Sequence, residues 1–444
     1  MSPPVSTVRN DDNLPTHADV VVIGGGIAGV TTAYYLAEQG YSVAVIEKGR
    51  IAGEQSSRNW GFVRQQGRDP LEIPLIKKSM ELWEQFELPP AQSVGFRRAG
   101  VIYLSRAKEV PQGWRDWVGY AARYKIDSHL LDAEETNRRA PSPLGWTAGL
   151  YTPEDGMAEP GMAVPTIAEK ARSLGVTIHQ NCAVLSFEMT GGKISAVVTE
   201  RGRVSGGTFV CAAGAWSSRL CRSLGFTLPQ LAAKASVLRT EPTPAVSDAG
   251  GISADNFSAR RRLDGGYNVA RPMGWTYEIV PDTFRFMREF WPAFMQQRGS
   301  MKLRFGPAFL REMKIALSGG NASGKVYQDM RILDPKPDVA VLEEGFTNFR
   351  TAFPQLRDVK IAQRWAGMID ITPDAVPIVG RAPKIDNLML VTGFSGHGFG
   401  LGPGAGRLAA DLISGREPVV DPRPFSYERL KTASISADVS PVKM

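Results

Sequence analysis

The chain is poor in the two residue types that most often build cross-links and zinc sites. It has 3 cysteines and 4 histidines among 444 residues, with no C-x-x-C pair and no two histidines at ligand spacing. The cysteines are Cys182, Cys211 and Cys221, and the histidines are His17, His129, His179 and His397. Neither a disulfide framework nor a metal site is therefore indicated.

The sequence also lacks an apolar leader, internal repeats and low-complexity tracts. Residues 1–17 are polar and contain no apolar run of signal-peptide length, so we expect a disordered leader and a cytoplasmic protein. Residues 20–37 carry no charge over 18 positions. Three adjacent glycines and a following strand nevertheless argue against a membrane span there.

Charge of one sign is only slightly in excess. The 52 basic and 45 acidic residues leave a net charge of +7, and no nucleic-acid-binding motif accompanies it. A nucleic-acid partner is therefore not expected. A length of 444 residues, a hydrophobic content of 43% and 46 glycines indicate a globular α/β protein with two lobes.

Residues 19–47 contain the complete pattern of a dinucleotide-binding unit. A β-branched strand over 19–23 leads into a G-x-G-x-x-G turn, a helix predicted over 27–39 and a second strand predicted over 41–46. Glu47 follows, 18 residues after the last glycine. An acid there accepts ribose hydroxyls and argues against a ligand with a 2′-phosphate.

The three spaced glycines have separate tasks. Gly24 permits the tight turn, Gly26 lets the backbone approach a pyrophosphate, and Gly29 lets the helix pack closely on the strand. The helix then directs its positive N-terminal end at the phosphates.

Periodicity and turn residues predict the following elements. We expect a helix over 70–86, a strand near 100–104, a loop over 152–165, a helix over 167–174, a strand over 176–180 and a β-meander over 184–199 and 203–211.

A second glycine-rich element lies far along the chain, at residues 393–404. A strand over 387–392 precedes it, and a helix predicted over 405–413 follows and ends at Gly415. The order of strand, glycine loop and helix repeats the geometry of an anion site. Such a helix end is suited to stabilise negative charge on a bound ring.

Four segments of the chain together resemble the FAD-dependent D-amino-acid oxidase (DAO) family, and most of all its sarcosine oxidase, glycine oxidase and D-amino-acid dehydrogenase branch. They are residues 20–47, 56–64, 211–216, and the pair 365–374 with 393–399. The resemblance spans residues 18 to about 418. It implies an α/β fold in which a Rossmann-like FAD-binding domain is interleaved with a substrate domain built on a large mixed β-sheet.

The resemblance also implies domain boundaries. We expect a leader over 1–17, an FAD-binding domain over 18–90, 146–230 and 366–418, a substrate domain over 91–145 and 231–365 with a helical insertion at about 275–330, and a C-terminal tail over 419–444.

The same resemblance assigns a set of residues to FAD. It places Gly24, Gly26, Ile27, Ala28 and Gly29 at the pyrophosphate, Glu47 and Lys48 at the adenosine ribose, Val184, Ala213, Gly214 and Trp216 on the adenine and ribityl side, Ser56, Ser57, Asn59, Trp60 and Gly61 beside the pyrophosphate and isoalloxazine, and Gly396, His397, Gly398, Phe399, Gly400 and Leu401 at the pyrimidine edge.

Candidates for the substrate side are fewer. Arg64 falls near the position of a carboxylate-binding arginine in sarcosine oxidase, and a guanidinium fork suits that planar anion. The alternative is a surface or pyrophosphate-facing arginine. Tyr267 is a further candidate, and His397 is either an acid–base residue or a side chain packed on the flavin edge. Weaker candidates are Phe257, Arg260 and Met368.

Two departures from the sarcosine oxidase pattern concern the flavin. Gly367 stands where that enzyme has the cysteine that bonds flavin covalently, so we expect non-covalent FAD. Gly400 replaces the lysine after Gly-His-Gly-Phe, and no lysine lies between Lys234 and Lys302, where the oxygen-activating lysine would be. Oxygen or a quinone or other electron carrier therefore remains open as the acceptor.

The stretch from 275 to 330 departs most from the smaller relatives. Phe286, Phe290 and Phe294 recur at helical spacing, as do Met287, Trp291 and Met295, with Arg285, Arg288 and Arg298 nearby. We expect an inserted helix packed on the substrate domain or on another subunit. A membrane-surface patch that delivers electrons to quinone is the alternative. A monomer and a homo-oligomer are both compatible with the sequence.

The main hypothesis is an FAD enzyme that oxidises the C–N bond of an amino acid or N-substituted amino acid to an imine, which water hydrolyses. The alternatives are a D-amino-acid deaminating dehydrogenase and a flavin-binding subunit of a multisubunit amine oxidase. An NAD-linked dehydrogenase is disfavoured, because its fold does not need a second glycine loop at the reactive ring.

Overall fold

The computed structural model describes residues 2–87, 92–297, 301–317 and 324–432. Its strands are β1 (His17–Ile23), β2 (Val43–Ile46), β3 (Phe62–Val63), β4 (Arg97–Arg98), β5 (Val101–Ser105), β6 (His129–Leu131), β7 (Ala148–Thr152), β8 (Gly156–Met157), β9 (Thr177–His179), β10 (Val184–Thr190), β11 (Lys193–Thr199), β12 (Gly202–Cys211), β13 (Leu231–Thr240), β14 (Gly251–Ala254), β15 (Phe257–Arg261), β16 (Tyr267–Ala270), β17 (Thr276–Glu278), β18 (Lys302–Arg304), β19 (Ile361–Ile371), β20 (Ile378–Ala382) and β21 (Ile385–Thr392).

The helices alternate with these strands along the chain. They are α1 (Ile27–Glu38), α2 (Gln55–Arg58), α3 (Ile73–Phe86), α4 (Gln112–Arg123), α5 (Ala133–Arg139), α6 (Pro160–Ser173), α7 (Ser217–Ser223), α8 (Pro281–Arg285), α9 (Met287–Gln297), α10 (Pro307–Leu317), α11 (Lys325–Asp329), α12 (Val339–Ala352), α13 (Gly398–Ser414) and α14 (Arg429–Thr432), with single 3-10 turns at Gly214–Trp216, Pro354–Leu356 and Arg423–Phe425.

The first sheet contains the dinucleotide-binding unit. β1 lies at its centre and pairs in parallel with β2 and β12. β9 extends the sheet on one side, while the β10–β11–β12 meander and the β20–β21 hairpin lie on the other. A strand of consecutive apolar residues is expected at the centre of such a sheet, because both of its faces are buried.

The second sheet has 10 strands, in the order β18-β17-β13-β16-β15-β14-β5-β7-β6, with β19 paired to β13. A small third sheet has the strand order β3-β8-β4. The chain passes repeatedly from one large sheet to the other, which confirms the interleaved α/β fold. Two boundaries are corrected: β7 and the first residues of the expected 366–418 segment, in β19, belong to the second sheet because they pair there.

Two helices begin earlier than the sequence predicts, because distant residues compensate for a proline inside each. α6 begins at Pro160 within the expected 152–165 loop and contains Pro165, which has no N–H for the carbonyl of Gly161. The Ser6 N–H donates to that carbonyl instead, at 2.8 Å.

The same explanation applies to α13, which begins at Gly398 and contains Pro403, although the sequence predicts a start at residue 405. The Ser79 hydroxyl of α3 donates to the Gly400 carbonyl at 2.6 Å and accepts from the Gly404 N–H at 3.1 Å. The helix therefore continues through the proline because a side chain from α3 enters its hydrogen-bond ladder.

The prediction of a disordered leader is wrong for residues 2–16, which the structure describes before β1. Val8 is buried in the core of the first lobe. Asp11 accepts from Arg172 and from the Ile178 N–H. The leader folds onto α6 and β9 because these partners, distant in sequence, satisfy its polar groups. Part of the expected tail also packs, since Phe425 and Tyr427 are buried, and residues 433–444 lie outside the described residues.

The inserted region forms α8, α9, β18, α10 and α11. Phe286, of the expected phenylalanine row, is 1% exposed, whereas Trp291, of the expected methionine and tryptophan row, is 52% exposed. The first row therefore faces inward and the second faces outward. Arg298 lies outside the described residues. Among the described helices, none has the length and apolar character needed to cross a bilayer.

Candidate cofactor and active site

The glycine turn after β1 is built as its spacing predicts. Gly24 has φ of 114°, and a Cβ there would lie 2.4 Å from the Ala212 carbonyl oxygen. A Cβ at Gly29 would lie 2.0 Å from the Gly24 carbonyl oxygen. Larger residues are thus excluded at both positions, and α1 packs directly against the turn.

A single cavity runs from this turn to the second glycine-rich element. Its empty volume is about 1220 Å³, including the open mouth. The described lining residues that the sequence singled out are Gly24, Gly26, Ile27, Ala28, Glu47, Lys48, Ser56, Asn59, Val184, Ala213, Gly214, Trp216, Met368, Gly396, Gly398 and Phe399. Two elements about 370 residues apart in sequence therefore share one extended site.

Glu47 braces the end of β2 at this cavity. Its carboxylate accepts from the Gly25 N–H and the Gly49 N–H, each at 2.7 Å. Burial raises its pKa, while the Lys48 charge and the two N–H donors oppose that rise. An acid oriented in this way is placed to accept from ribose hydroxyls at the cavity wall.

Lys48 lines the cavity, and its ammonium is bound by partners within the protein. Its ammonium donates to Glu54 at 2.6 Å and to the carbonyls of Met330 and Arg331 at 2.9 Å each. It also lies 4.4 Å from the centre of the Trp216 ring. The lysine thus ties the end of β2 to the inserted region, a partner that local sequence could not indicate.

The second glycine-rich element presents the N-terminal end of α13 to the cavity. A helix leaves the N–H groups of its first turn without intrahelical partners, so this end can meet an electron-rich group. Asp370, at the end of β19, fastens the preceding loop by accepting from the Gly393 N–H at 2.7 Å. Burial raises the pKa of this carboxyl.

Several residues assigned to FAD lie outside the described lining. Gly400 faces α3, since its carbonyl accepts from Ser79 and Trp83. A Cβ at Gly61 would lie 2.7 Å from the Ala158 carbonyl oxygen, so that glycine serves backbone packing. The remaining residues outside the described lining are Gly29, Ser57, Trp60, Gly367, His397 and Leu401.

Arg64 and His397 meet in a buried polar cluster beside the α13 end of the cavity. The guanidinium of Arg64 contacts the Tyr103 hydroxyl. The Nδ1 atom of His397 lies 2.8 Å from a carboxylate oxygen of Glu72, which is fully buried. Burial and then the charges of Arg68 and Arg64 lower the pKa of His397. The imidazole is thus held by Glu72, the residue before α3, while Gly396 and Gly398 on either side of His397 line the cavity.

Tyr267 is not part of the site, which corrects the expectation from sequence. It lies on β16, 1% exposed, in the core between the second sheet and α12. Its hydroxyl accepts from the Val246 N–H at 3.1 Å, and its ring packs edge-on against Phe349. Phe257 shares this core, and Arg260 is bound by Glu159.

The residues present fit FAD. Besides the two glycine-rich elements, the cavity is lined by Gln55 and Tyr327, whose Oε1 atom and hydroxyl are buried without a hydrogen-bond partner in the described structure. Buried polar atoms are normally paired, so both atoms are available to hydrogen-bond a polar ligand such as FAD. Within the described ranges, no three acids, histidines or cysteines converge as a metal site would require.

Sequence reasoning missed Gln55, Asp370 and Tyr327. Gln55 and Asp370 fall inside or beside segments already singled out, so only their roles were hidden. Tyr327 lies in the poorly matched insertion, and no local pattern marks it.

Comparisons with known proteins show which proteins the chain resembles as a whole. The family DAO, described as FAD dependent oxidoreductase, matches residues 19–412. The chain is similar to sarcosine oxidase subunit beta of Arthrobacter sp, at 27% identity over 94% of this chain and 92% of that protein. It is similar to D-amino acid dehydrogenase of Bradyrhizobium diazoefficiens, at 24% identity over 92% and 98%. Among solved structures it is similar to the L-amino acid deaminase from Proteus myxofaciens, in complex with anthranilate, with a TM-score of 0.89 and 29% identity over 96% and 97% of the two chains.

Proposed function

The chain belongs to the DAO family of FAD dependent oxidoreductases and is a flavin oxidoreductase of amino acids or amines, and from this premise we propose that it deaminates an α-amino acid oxidatively. A hydride leaves the α-carbon, the nitrogen lone pair forms a C=N bond as the nitrogen loses a proton, and water hydrolyses the imine to a keto acid and ammonia. The likeness in shape to the L-amino acid deaminase supports an L-α-amino acid as the substrate class.

FAD, when bound, supplies the acceptor for the hydride. The chain supplies its cradle: the α1 end for the pyrophosphate, Glu47 for the ribose and the α13 end for the reactive ring. We propose that the cofactor is held without a covalent bond. Gly367 offers no nucleophile, and a Cβ there would lie 2.1 Å from the Gln55 Oε1 atom.

One observation carries the choice of a carboxylate substrate: a buried basic pair, Arg64 and Arg68, lies beside the His397 turn. Arg68 is 3% exposed, and its Nη1 atom is buried without a partner in the described structure. Burial, and after it the neighbouring charge of Arg64, lowers the pKa of Arg68 to about 10. A guanidinium with a free donor in a buried position is suited to a carboxylate.

An electron acceptor other than oxygen is favoured. Among the described lining residues Lys48 is the lysine, and its ammonium is committed to Glu54 and two backbone carbonyls. Within the described lining, no lysine cation is therefore left free to stabilise negative charge on reduced oxygen. We propose a dehydrogenase that passes electrons to a carrier.

N-substituted glycine is the second candidate substrate, supported by the similarity to sarcosine oxidase subunit beta. A flavin-binding subunit without turnover of its own is the alternative from another class.

Anaerobic bleaching of the FAD-loaded protein tests the proposal. The panel contains L- and D-α-amino acids, N-methylglycine, and the matched amines that lack a carboxylate. L-α-amino acids should bleach the flavin fastest, and the decarboxylated amines should be slow. If no member of the panel bleaches the flavin, the proposed activity is refuted. If the matched amines bleach the flavin as fast as the amino acids do, the proposed binding of the substrate carboxylate is refuted.

Substitutions distinguish the loss of the carboxylate contact from a general loss of stability or activity. Arg68→Gln removes a charge-assisted contact of about 1.5–3 kcal/mol, so the KM for the amino acid should rise roughly 10- to 150-fold. Its rate with the decarboxylated amine should stay unchanged. Arg98→Gln, which removes an exposed ion pair with Glu84, is the matched control. Peroxide release in air at the rate of turnover would instead identify an oxidase.

A further inference from the structure

Residues 324–334, which we name the clasp, end the inserted region and lie over the Glu47 end of the cavity. Gly324 has φ of 63°, and a Cβ there would lie 2.4 Å from the Leu185 backbone on β10. The clasp therefore begins in direct backbone contact with the meander.

Polar contacts fix the clasp to three separate parts of the first lobe. Arg331 is paired with Glu200, beyond β11, and donates to the Lys48 carbonyl at 3.1 Å. The Leu333 N–H donates to Glu54 at 2.9 Å. The meander, the end of β2 and the segment before α2 are thus bridged by one short stretch of chain.

Tyr327 is the clasp residue that reaches the cavity. It is 9% exposed, lines the cavity wall and packs edge-on against Trp216, with ring centres 5.7 Å apart. Burial raises the pKa of its hydroxyl, which is therefore a neutral donor. That hydroxyl is buried without a hydrogen-bond partner in the described structure, although buried phenols normally have one.

We propose that the clasp is a cofactor-retaining element, in which Tyr327 donates its hydroxyl hydrogen bond to the adenosine half of FAD while the Arg331–Glu200 pair holds the segment shut. The adenosine half is the part that the Glu47 end of the cavity receives, because this acid follows the first glycine turn at the ribose position. The inserted region thus takes part in holding the cofactor, apart from any contact it makes with other molecules.

The proposal predicts a specific loss. Tyr327→Phe removes one hydroxyl and leaves the ring against Trp216. Its FAD dissociation constant should rise about two- to tenfold, the effect of one net hydrogen bond. ADP, which carries the adenosine half alone, should lose the same factor, whereas FMN binding should not change.

Glu200→Gln tests the closure. It leaves Arg331 without its carboxylate partner, so the clasp should open more often and FAD should dissociate several-fold faster. The measurement is the recovery of free flavin fluorescence after dilution of the loaded protein.

Controls are available on the same chain. Tyr277→Phe removes the hydroxyl of a half-buried tyrosine on β17, outside the described cavity lining, and Arg271→Ala removes an exposed ion pair with Glu344. Both should retain wild-type FAD affinity. Circular dichroism and the thermal midpoint check that each variant is folded.

The outcomes are distinct. A folded Tyr327→Phe protein with unchanged FAD and ADP affinity would overturn the clasp, as would a loss shared by FMN. The inference depends on the family's cofactor but not on the proposed substrate. A wild-type protein that binds FAD yet is bleached by no amino acid would refute the proposed function alone, and one that takes up no FAD would refute both.

Discussion

A tight steric contact between the two cofactor-facing helices lends itself to a direct test. A Cβ at Gly402 of α13 would lie 2.3 Å from the Cγ1 atom of Ile27 in α1. Carbon atoms rest about 3.5–4.0 Å apart, so Gly402→Ala must separate the helices or displace the isoleucine. We expect a destabilisation of about 1–3 kcal/mol and weaker FAD binding, since both helix ends face the cavity.

A double-mutant cycle isolates this contact. Ile27→Ala alone should cost about 2–5 kcal/mol, because it leaves a void beside Gly402. In the double variant the new methyl group enters that void, so the combined loss should be smaller than the sum by about 1 kcal/mol or more. Denaturant unfolding with saturating FAD gives the stabilities, and fluorescence titration gives the FAD affinity.

The matched control is the same substitution in an open place. Gly119 lies in α4, with nothing within 4 Å of a Cβ there. Gly119→Ala should stabilise the protein by about 0.5–1 kcal/mol through helix propensity. Losses for Gly402→Ala and Ile27→Ala that add within about 0.5 kcal/mol would refute the steric reasoning.

Three further predictions follow from the site. Tyr267→Phe should lower the thermal midpoint but leave the anaerobic rate of flavin bleaching unchanged, because the Tyr267 hydroxyl accepts a hydrogen bond from the Val246 N–H in the core. A large fall in the bleaching rate would show that Tyr267 does belong to the active site. Burial lowers the pKa of His397 below its ordinary value of about 6.5. The folded protein therefore binds fewer protons at this residue than the unfolded chain does, so the stability of the protein should fall as the pH drops below about 6.5. Thermal midpoints between about pH 5.5 and 7.5 should show less of this fall in His397→Asn, and an unchanged slope would contradict the assignment. Acid precipitation should release all the yellow chromophore into the supernatant, because Gly367 carries no nucleophile; colour retained by the washed polypeptide would disprove non-covalent binding.

The local parts of the site follow from sequence because their causes are local. The turn at Gly24 needs a positive φ, Gly29 needs the absence of a Cβ, and the strand and helix around them show their own periodicity. The meander was predicted for the same reason, since glycines with positive φ at 191 and 192 join β10 to β11.

The starts of two helices could not be predicted, because each depends on a partner far away. Local rules begin one helix only after Pro165 and the other only after Pro403. In the structure the Ser6 N–H donates to the Gly161 carbonyl that Pro165 leaves without a donor, and the Ser79 hydroxyl bridges the Gly400 carbonyl and the Gly404 N–H beside Pro403. Such compensation has no signature within the segment itself.

By itself, the sequence determined the ligand class and the fold class, because the dinucleotide unit, the second glycine-rich element and the order of the segments are all written in neighbouring residues. The tertiary structure alone decided which side chains reach the cavity. It moved Tyr267 into the core, committed Lys48 to the clasp, and brought Tyr327 to the cavity wall. Side-chain placement depends on packing between elements hundreds of residues apart, and that packing is not visible in any local pattern.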